Sequence, residues 1–429
     1  VAPDAAHRLA ALAAQALGTP LPLRLRAWDG SETGPQDTPV LVVRSRRALR
    51  RLLWHPGELG LARAWVAGEI DVEGDLYDAL DRLTAVVPDG GGRDLGRRMV
   101  RDGTALRIAA GLIRLAGPGV PPPPPAEESR RRGEAHTKRR DRAAISHHYD
   151  VGNEFYAHVL GPSMVYSCAY WDRADGSLED AQYAKLDLIC RKLALRPGQH
   201  LLDIGCGWGS LVLHAAQHYG VRATGITISV EQADLARKRA AEAGLTDRVE
   251  IRVQDYRDVH DGPYDAISSV GMAEHVGQVR YREYAEILHR LVKPGGRLLN
   301  HQIARRPLAD EAGYRVDEFI DRYVFPDGEL SPVGSTVSSL EQAGFEVRDL
   351  EALREHYALT LRAWVRNLEE HFAEAERLTS RGRARVWRLY MAASALGFER
   401  NSIGVNQVLA VRTEGDGASS MPLVRGSWS

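Results

Sequence analysis

Leu201–Gly209 reads LLDIGCGWG: an apolar run, an acid, and then glycine at three alternate positions. Such a run suits a buried strand that passes straight into a tight turn. Gly205, Gly207 and Gly209 carry no Cβ, so a ligand can approach the backbone closely there. The spacing is G-x-G-x-G and differs from the G-x-G-x-x-G of dinucleotide sites.

Outward from this loop the chain alternates strands and helices. Apolar strand candidates are His200–Ile204, Ala223–Ile228, Val249–Val253, Ala266–Val270 and Arg297–His301. Helical stretches such as Val230–Ala243 and Tyr281–Leu291 lie between them, and Lys293–Gly296 (KPGG) reads as a helix stop and turn. The alternation predicts an α/β, doubly wound parallel sheet. Glu346–Ala352 and Asn406–Arg412 can close it as a final antiparallel pair. Ala304–Val333 is long and partly helical, and reads as a lid over the site.

Composition bounds the rest. At 429 residues the chain exceeds one ordinary core, so two domains are expected. Lys+Arg of 56 against Asp+Glu of 57 leaves no global field, and no nucleic-acid partner is expected. The 3 cysteines, Cys168, Cys190 and Cys206, have neither metal-ligand nor redox spacing, so no metal is expected and a reducing compartment fits. With no apolar run of about 18 residues, the reading is a cytoplasmic protein whose membrane contact is peripheral. Val120–Pro125 (VPPPPP) and the arginine-dense stretch after it mark a boundary. The expected division is an accessory domain at 1–116, a linker at 117–142, a catalytic domain at 143–412 and a disordered tail at 413–429. Within the first domain, Arg8–Leu17 and Ala48–Leu53 read as helices and Val40–Val43 as a strand. Arg97–Leu115 reads as a basic amphipathic helix that packs through Leu106, Ala109, Ala110 and Ile113; its alternative is to lie on a membrane.

In open α/β sheets, ligands sit at the carboxyl ends of the strands. Asp203 ends the first strand and can orient the loop or a cofactor ammonium. Thr227, Ser229 and Gln232 follow the second strand, and Asp255 and Tyr256 follow the third, where they can frame an adenine. With the glycine loop, this set resembles the cofactor site of class I S-adenosylmethionine (SAM) methyltransferases, which have a Rossmann-like sheet.

Further segments narrow the resemblance. They are His147–Tyr156 (HHYDVGNEFY), Met164–Trp171 (MVYSCAYW), Val270–Gly277 (VGMAEHVG), Asn300–Ala304 (NHQIA), Arg322–Gly328 (RYVFPDG) and His356–Trp364 (HYALTLRAW). In this order they resemble the cyclopropane-fatty-acyl-phospholipid synthase family, which includes the mycolic acid cyclopropane synthases. The likeness covers about 143–412, and Gly57–Asp71 also looks like the longer, phospholipid-acting members. It implies a class I methyltransferase sheet with a smaller, α-rich, lipid-binding N-terminal domain.

The implied chemistry is attack of an acyl cis double bond on the methyl of SAM, followed by proton loss and ring closure. The family uses a bound bicarbonate as base, and the likeness puts its pocket at Cys168, Glu274, His301 and Tyr357 with the Ile303 backbone. Implied SAM contacts are Tyr166, Ser167, the Leu201–Gly209 loop, Thr227, Gln232, Tyr256 and Arg257. Aromatic faces at Tyr149, Tyr166, Tyr170 and Trp171 can stabilise a cation. Two positions depart from the pattern. Mycolate-type members tend to have an acid where Arg257 stands, and some members have a cysteine where Ala410 stands, which puts a covalent cysteine route in doubt.

Three readings follow. The first is a SAM-dependent C-methyltransferase of unsaturated acyl chains in membrane phospholipid, giving a cyclopropane. Its alternative branch ends at a 10-methylene-stearoyl chain and implies a partner reductase. The second is methylation of another acceptor, and the third is a non-catalytic lipid-binding protein. The family also implies a homodimer.

Overall fold

The computed structural model describes residues 4–87, 101–117, 119–129, 137–138, 140–141 and 151–427. The chain divides into two compact units that do not follow a single cut in the sequence. The first takes residues 1–129, 317–324 and 380–396, and the second takes 130–316, 325–379 and 397–429.

The first unit has a four-stranded sheet in the order β2-β1-β3-β4, formed by β1 (Arg24–Arg26), β2 (Glu32–Thr33), β3 (Val40–Val43) and β4 (Ile70–Glu73). Helices Ala5–Leu17, Arg46–Trp54 and Thr104–Ala116 share its core, where Leu9, Leu25, Val43, Leu49 and Leu115 are buried. Val40–Val43 was legible as a strand; its three short neighbours were not. On the helix Thr104–Ala116, Ile108, Leu115 and Ala116 face the core, whereas Leu106 is 82% and Ile113 44% exposed. This corrects the expected packing face. The helix carries two apolar stripes at helical spacing, and periodicity cannot say which one is covered. Residues 97–100 of the expected helix lie outside the described residues.

The expected linker is not a free spacer where it is described. Arg51 donates to the Pro123 carbonyl at 2.9 Å. Arg63 grips Glu128 with two hydrogen bonds of 2.7 Å, and both side chains are buried. Further on, in the second unit, Arg140 pairs with Asp327 and Asp141 with Arg257. Composition marks such a stretch as too polar to make a core, but it cannot show that partners of opposite charge await it.

In the second unit, β5 (His200–Ile204), β6 (Arg222–Thr227), β7 (Val249–Val253), β8 (Tyr264–Val270), β9 (Val292–Arg305), β11 (Glu346–Ala352) and β12 (Ile403–Val411) form one sheet in the order β11-β12-β9-β8-β5-β6-β7. The short β10 (Ser331–Pro332) pairs with β9 off this path. β5 to β9 are mutually parallel, and β12 runs antiparallel to both β9 and β11. The doubly wound sheet with its closing antiparallel pair is therefore as expected. The chain reverses strand order beside β5, which opens a crevice at the carboxyl ends of β5 and β8.

Three local expectations change. Lys293–Gly296 is no isolated turn: it lies inside β9, at a register shift against β8, with Gly295 at φ 73°. Asp317–Val324 groups with the first unit, so residues 304–333 are not one continuous lid element. The tail is ordered through Ser427: Arg297 donates to the Ser420 carbonyl and Arg425 pairs with Asp349. No described helix is long and apolar enough to cross a membrane.

Candidate active site

The pocket opens at the carboxyl ends of β5, β6 and β8. Its lining includes Tyr166, Ser167, Asp203, Gly205, Gly207, Thr227, Gln232, Asp255, Tyr256 and Arg257. Ten of the eleven residues expected to touch a cofactor thus share one cavity. Gly209 is the exception. At φ 81° it starts the helix Ser210–Tyr219, and a Cβ there would stand 3.1 Å from the Ala236 Cβ. It is glycine for backbone conformation and helix packing, not for ligand approach.

The loop is held from behind. Gly205 and Cys206 both donate to the Ile226 carbonyl at 2.9 Å. Arg239 reaches across to the Trp208 carbonyl and the Ser210 hydroxyl. Asp203 is buried and accepts from Ser268 Oγ at 2.7 Å; burial raises its pKa to about 6 against that bond. Thr227 donates to Gln232 Oε1, and Ser229 caps the helix Val230–Glu242. Asp255 is less open than expected. Burial raises its pKa, but the bonds from the Arg257 side chain and backbone outweigh it, and the carboxyl stays below its usual range. Arg257 also lies over the Tyr256 ring, 5.3 Å from its centroid. The residues at 255–257 therefore brace one another at the edge of the pocket.

A second, drier cluster lies beyond it. Glu274 Oε1 accepts from the Ile303 backbone N–H at 2.8 Å, while Oε2 is buried with no hydrogen-bond partner among the described residues. Burial raises the Glu274 pKa to about 7. His301 stands two residues before Ile303 on β9, so the two share a face of the strand about 7 Å apart. Gln407 fixes the His301 tautomer. Its Oε1 accepts from Lys192 Nζ at 2.8 Å, which turns its Nε2 to His301 Nδ1 at 3.3 Å. Nδ1 is then the acceptor and Nε2 carries the proton. That Nε2 is buried and without a partner among the described residues. Burial holds the His301 pKa well below its usual value, so the ring is neutral.

Cys168 and Tyr357 join this cluster through one carbonyl. Leu353 O accepts from Cys168 Sγ at 3.6 Å and from the Tyr357 backbone N–H at 3.1 Å. Leu353 N–H donates to Val405 O, and Val405 pairs with Ile303 across β12 and β9. The Cys168 thiol is fully buried and its pKa is raised well above normal, so it is no thiolate nucleophile. The expected cation-facing rings separate. Tyr166 lines the pocket and contacts Trp364. Tyr170 instead stacks on His356, and Trp171 donates to Thr360. Tyr149 lies outside the described residues.

Sequence reasoning missed Lys185, Met272 and His275, which also line the pocket, whereas Trp208 belongs to the expected loop. Lys185 sits within a helix ahead of the glycine loop, where periodicity carries no sign of a site.

A Rossmann-like sheet of this order, a glycine loop and a nucleoside-sized crevice beside an acid define a class I SAM-dependent methyltransferase. Residues 136–408 match the mycolic acid cyclopropane synthetase family, and the chain belongs to that family. A probable fatty acid methyltransferase of Mycobacterium tuberculosis is 43% identical over 94% of both chains. The cyclopropane-fatty-acyl-phospholipid synthase of Escherichia coli K12 is 39% identical over 64% of this chain and 69% of its own. Among solved structures, the mycolic acid cyclopropane synthase CmaA1, in complex with SAH and CTAB, is 32% identical with a TM-score of 0.59. It covers 63% of this chain and 97% of its own.

Proposed function

We propose that the chain methylates the cis double bond of an unsaturated acyl chain in membrane phospholipid and closes it to a cyclopropane. The observation that carries this reading is the orphaned pair Glu274 Oε2 and His301 Nε2–H in the dry cluster next to the cofactor pocket. A buried acceptor on a carboxylate anchored to the Ile303 backbone and a buried donor two residues earlier on the same strand suit a small oxyanion that both accepts and donates, and bicarbonate fits that set. When bound, SAM supplies the methyl group and bicarbonate supplies a base for the proton that must leave.

The chain's own residues do the rest. The Glu274 carboxylate accepts the hydroxyl proton of an anion, so two negative groups can sit together. His301 Nε2–H and the Tyr357 side chain orient it. The buried rings around Tyr166 offer π faces to a developing cation and keep water from quenching it.

The membrane contact is proposed for the helix Thr104–Ala116. Leu106 and Ile113 are exposed on it beside the exposed Arg107 and Arg114, an apolar stripe flanked by cations. That combination suits an anionic lipid surface. Leu106→Glu with Ile113→Glu is expected to abolish sedimentation with anionic vesicles while SAM affinity holds; unchanged sedimentation refutes the assignment.

Proton NMR of phospholipid recovered after incubation with SAM and cis-monounsaturated vesicles tests the product. Upfield ring protons support the reading. Vinylidene protons overturn it in favour of a methylene product that a reductase would consume. Unchanged lipid, with SAM binding intact, overturns the acyl acceptor.

A further inference from the structure

The imidazole of the dry cluster is governed from the sheet behind it. Glu351, Gln407 and His301 are register partners across β11, β12 and β9, so the three stand in one row. Directly opposed residues project from the same face of a sheet, which brings their side chains within reach. Lys192, the last residue of the helix Leu178–Lys192, meets this row and is fully buried. Its ammonium donates to the Glu351 carboxylate and, at 2.8 Å, to Gln407 Oε1, while Asp349 stands 3.8 Å away. Gln407 Nε2 lies 3.3 Å from His301 Nδ1.

Each link in the row has one direction. An ammonium only donates, so the Gln407 atom that faces Lys192 is the oxygen, and the amide cannot be turned over. The amide nitrogen is thereby aimed at His301 and donates to Nδ1, which must be bare. Burial, with the charges of Lys185 and Lys192 adding to it, keeps the ring neutral, so its one proton sits on Nε2. A neutral amine at Lys192 would accept as well as donate and lose this selection. Burial lowers the Lys192 pKa, and Glu351 and then Asp349 oppose that fall, which favours the ammonium. Without the ammonium the preference reverses: the Glu351 carboxylate draws the Gln407 NH2 toward itself, and the oxygen then faces Nδ1.

We infer that Lys192 is a positioning residue for the reaction: acting through Gln407, it holds the His301 proton on Nε2, where it donates to the bound oxyanion. The chemical use of that proton rests on the oxyanion reading of the cluster under Proposed function. The tautomer itself belongs to the enzyme alone and is measured without lipid or cofactor. Neither Lys192 nor Gln407 lines the cofactor pocket, so binding there serves as the control.

The experiment is nitrogen NMR of the full chain carrying isotope-labelled histidine, with the His301 signals assigned by their loss in His301→Asn. Initial rates on vesicles at varied bicarbonate and calorimetric affinity for S-adenosylhomocysteine accompany it. The wild type is expected to show a neutral His301 with its proton on Nε2. In Lys192→Met the proton is expected to move to Nδ1, with kcat lower by about 10²-fold, the bicarbonate requirement raised about tenfold, and S-adenosylhomocysteine affinity within about threefold. A proton that stays on Nε2 overturns the inference and leaves the oxyanion reading standing. A proton that moves while rate and bicarbonate dependence hold overturns both the positioning role and the donor role of His301. A matched loss of S-adenosylhomocysteine affinity marks a merely structural role and also overturns it. If Lys192→Met does not fold, Gln407→Glu decides. It is nearly isosteric, keeps an acceptor for Lys192 and sets a carboxylate oxygen opposite Nδ1, so a proton that remains on Nε2 there overturns the inference.

Discussion

Glu274→Gln isolates the acceptor function of the dry cluster. The amide is nearly isosteric, and its oxygen can still take the Ile303 N–H that Oε1 takes at 2.8 Å. Its NH2 then occupies the place of Oε2, so a donor replaces the orphaned acceptor. A bound anion's hydroxyl proton meets that donor head-on, and the negative charge is gone. Losing one aligned, buried, charge-assisted contact at a reacting centre costs about 10²- to 10³-fold in kcat. Glu274 is not among the residues that line the cofactor pocket, so S-adenosylhomocysteine affinity is expected within about threefold of wild type. The paired assay is initial rate on vesicles and calorimetric affinity for that nucleoside. A matched loss of affinity, or a rate drop of less than about threefold, would refute the reasoning. The pH profile adds a second check. Burial raises the Glu274 pKa from 4.5 to about 7, so the carboxylate acceptor forms only as pH rises through about 7. The wild-type rate is expected to climb with that apparent pKa. The folded state also holds a proton that the unfolded chain releases, so this group's contribution to stability is full below pH 4.5 and is lost as pH rises to about 7. Glu274→Gln should flatten both slopes.

Other outcomes follow from particular contacts. Cys168→Ala is expected to keep at least about a tenth of the rate, because a buried, protonated thiol acts only by packing; a fall beyond about a thousandfold would restore a covalent role. Gly209→Ala meets both a positive φ and the Ala236 Cβ at 3.1 Å, so it should cost about 1–3 kcal/mol of stability. An unchanged melting curve would remove that account of the third glycine. Arg63→Ala takes both 2.7 Å bonds from the buried Glu128 carboxylate, which then keeps the Tyr323 hydroxyl bond at 3.0 Å and a longer ion pair with Arg322 at 3.9 Å. A loss of about 3–5 kcal/mol is expected, and Glu128→Leu in the same chain should recover much of it; a single variant that melts like wild type would show the pair to be idle.

The sheet was legible because its signal is local. The central strands β5 and β8 are buried on both faces and read as short apolar runs, while the edge strand β7 alternates buried and exposed residues. His200–Ile204, Val249–Val253 and Glu346–Ala352 begin and end where the pattern puts them. Failures came where two folded partners settle the outcome. The helix Thr104–Ala116 shows two equivalent apolar stripes, and only packing covers one of them. The stretch after the prolines is charged because Glu128 and Arg140 each meet a buried partner, a fact held by Arg63 and Asp327 far away in sequence.

The site divides along the same line. Glycine spacing and strand-end acids announce a cofactor pocket by local chemistry alone, and that pocket forms as read. Glu274, His301, Cys168 and Tyr357 carry no such spacing, since they come from a turn, a strand, a loop and a helix. Only the order of family motifs singled them out. Physics explains them afterwards: Ile303 N–H fixes one, Gln407 another, and the Leu353 carbonyl the last two. Lys185 escaped both routes. A lysine within a helix reads as a solvated surface residue, and no sequence period distinguishes one that turns inward beneath a glycine loop. Its signal is energetic: a buried ammonium whose hydrogen bond goes to the Ser167 hydroxyl and whose pKa burial pulls down, with Asp203 opposing that fall. Residues of this kind are found by asking what surrounds each buried charge, and only the folded chain answers that question.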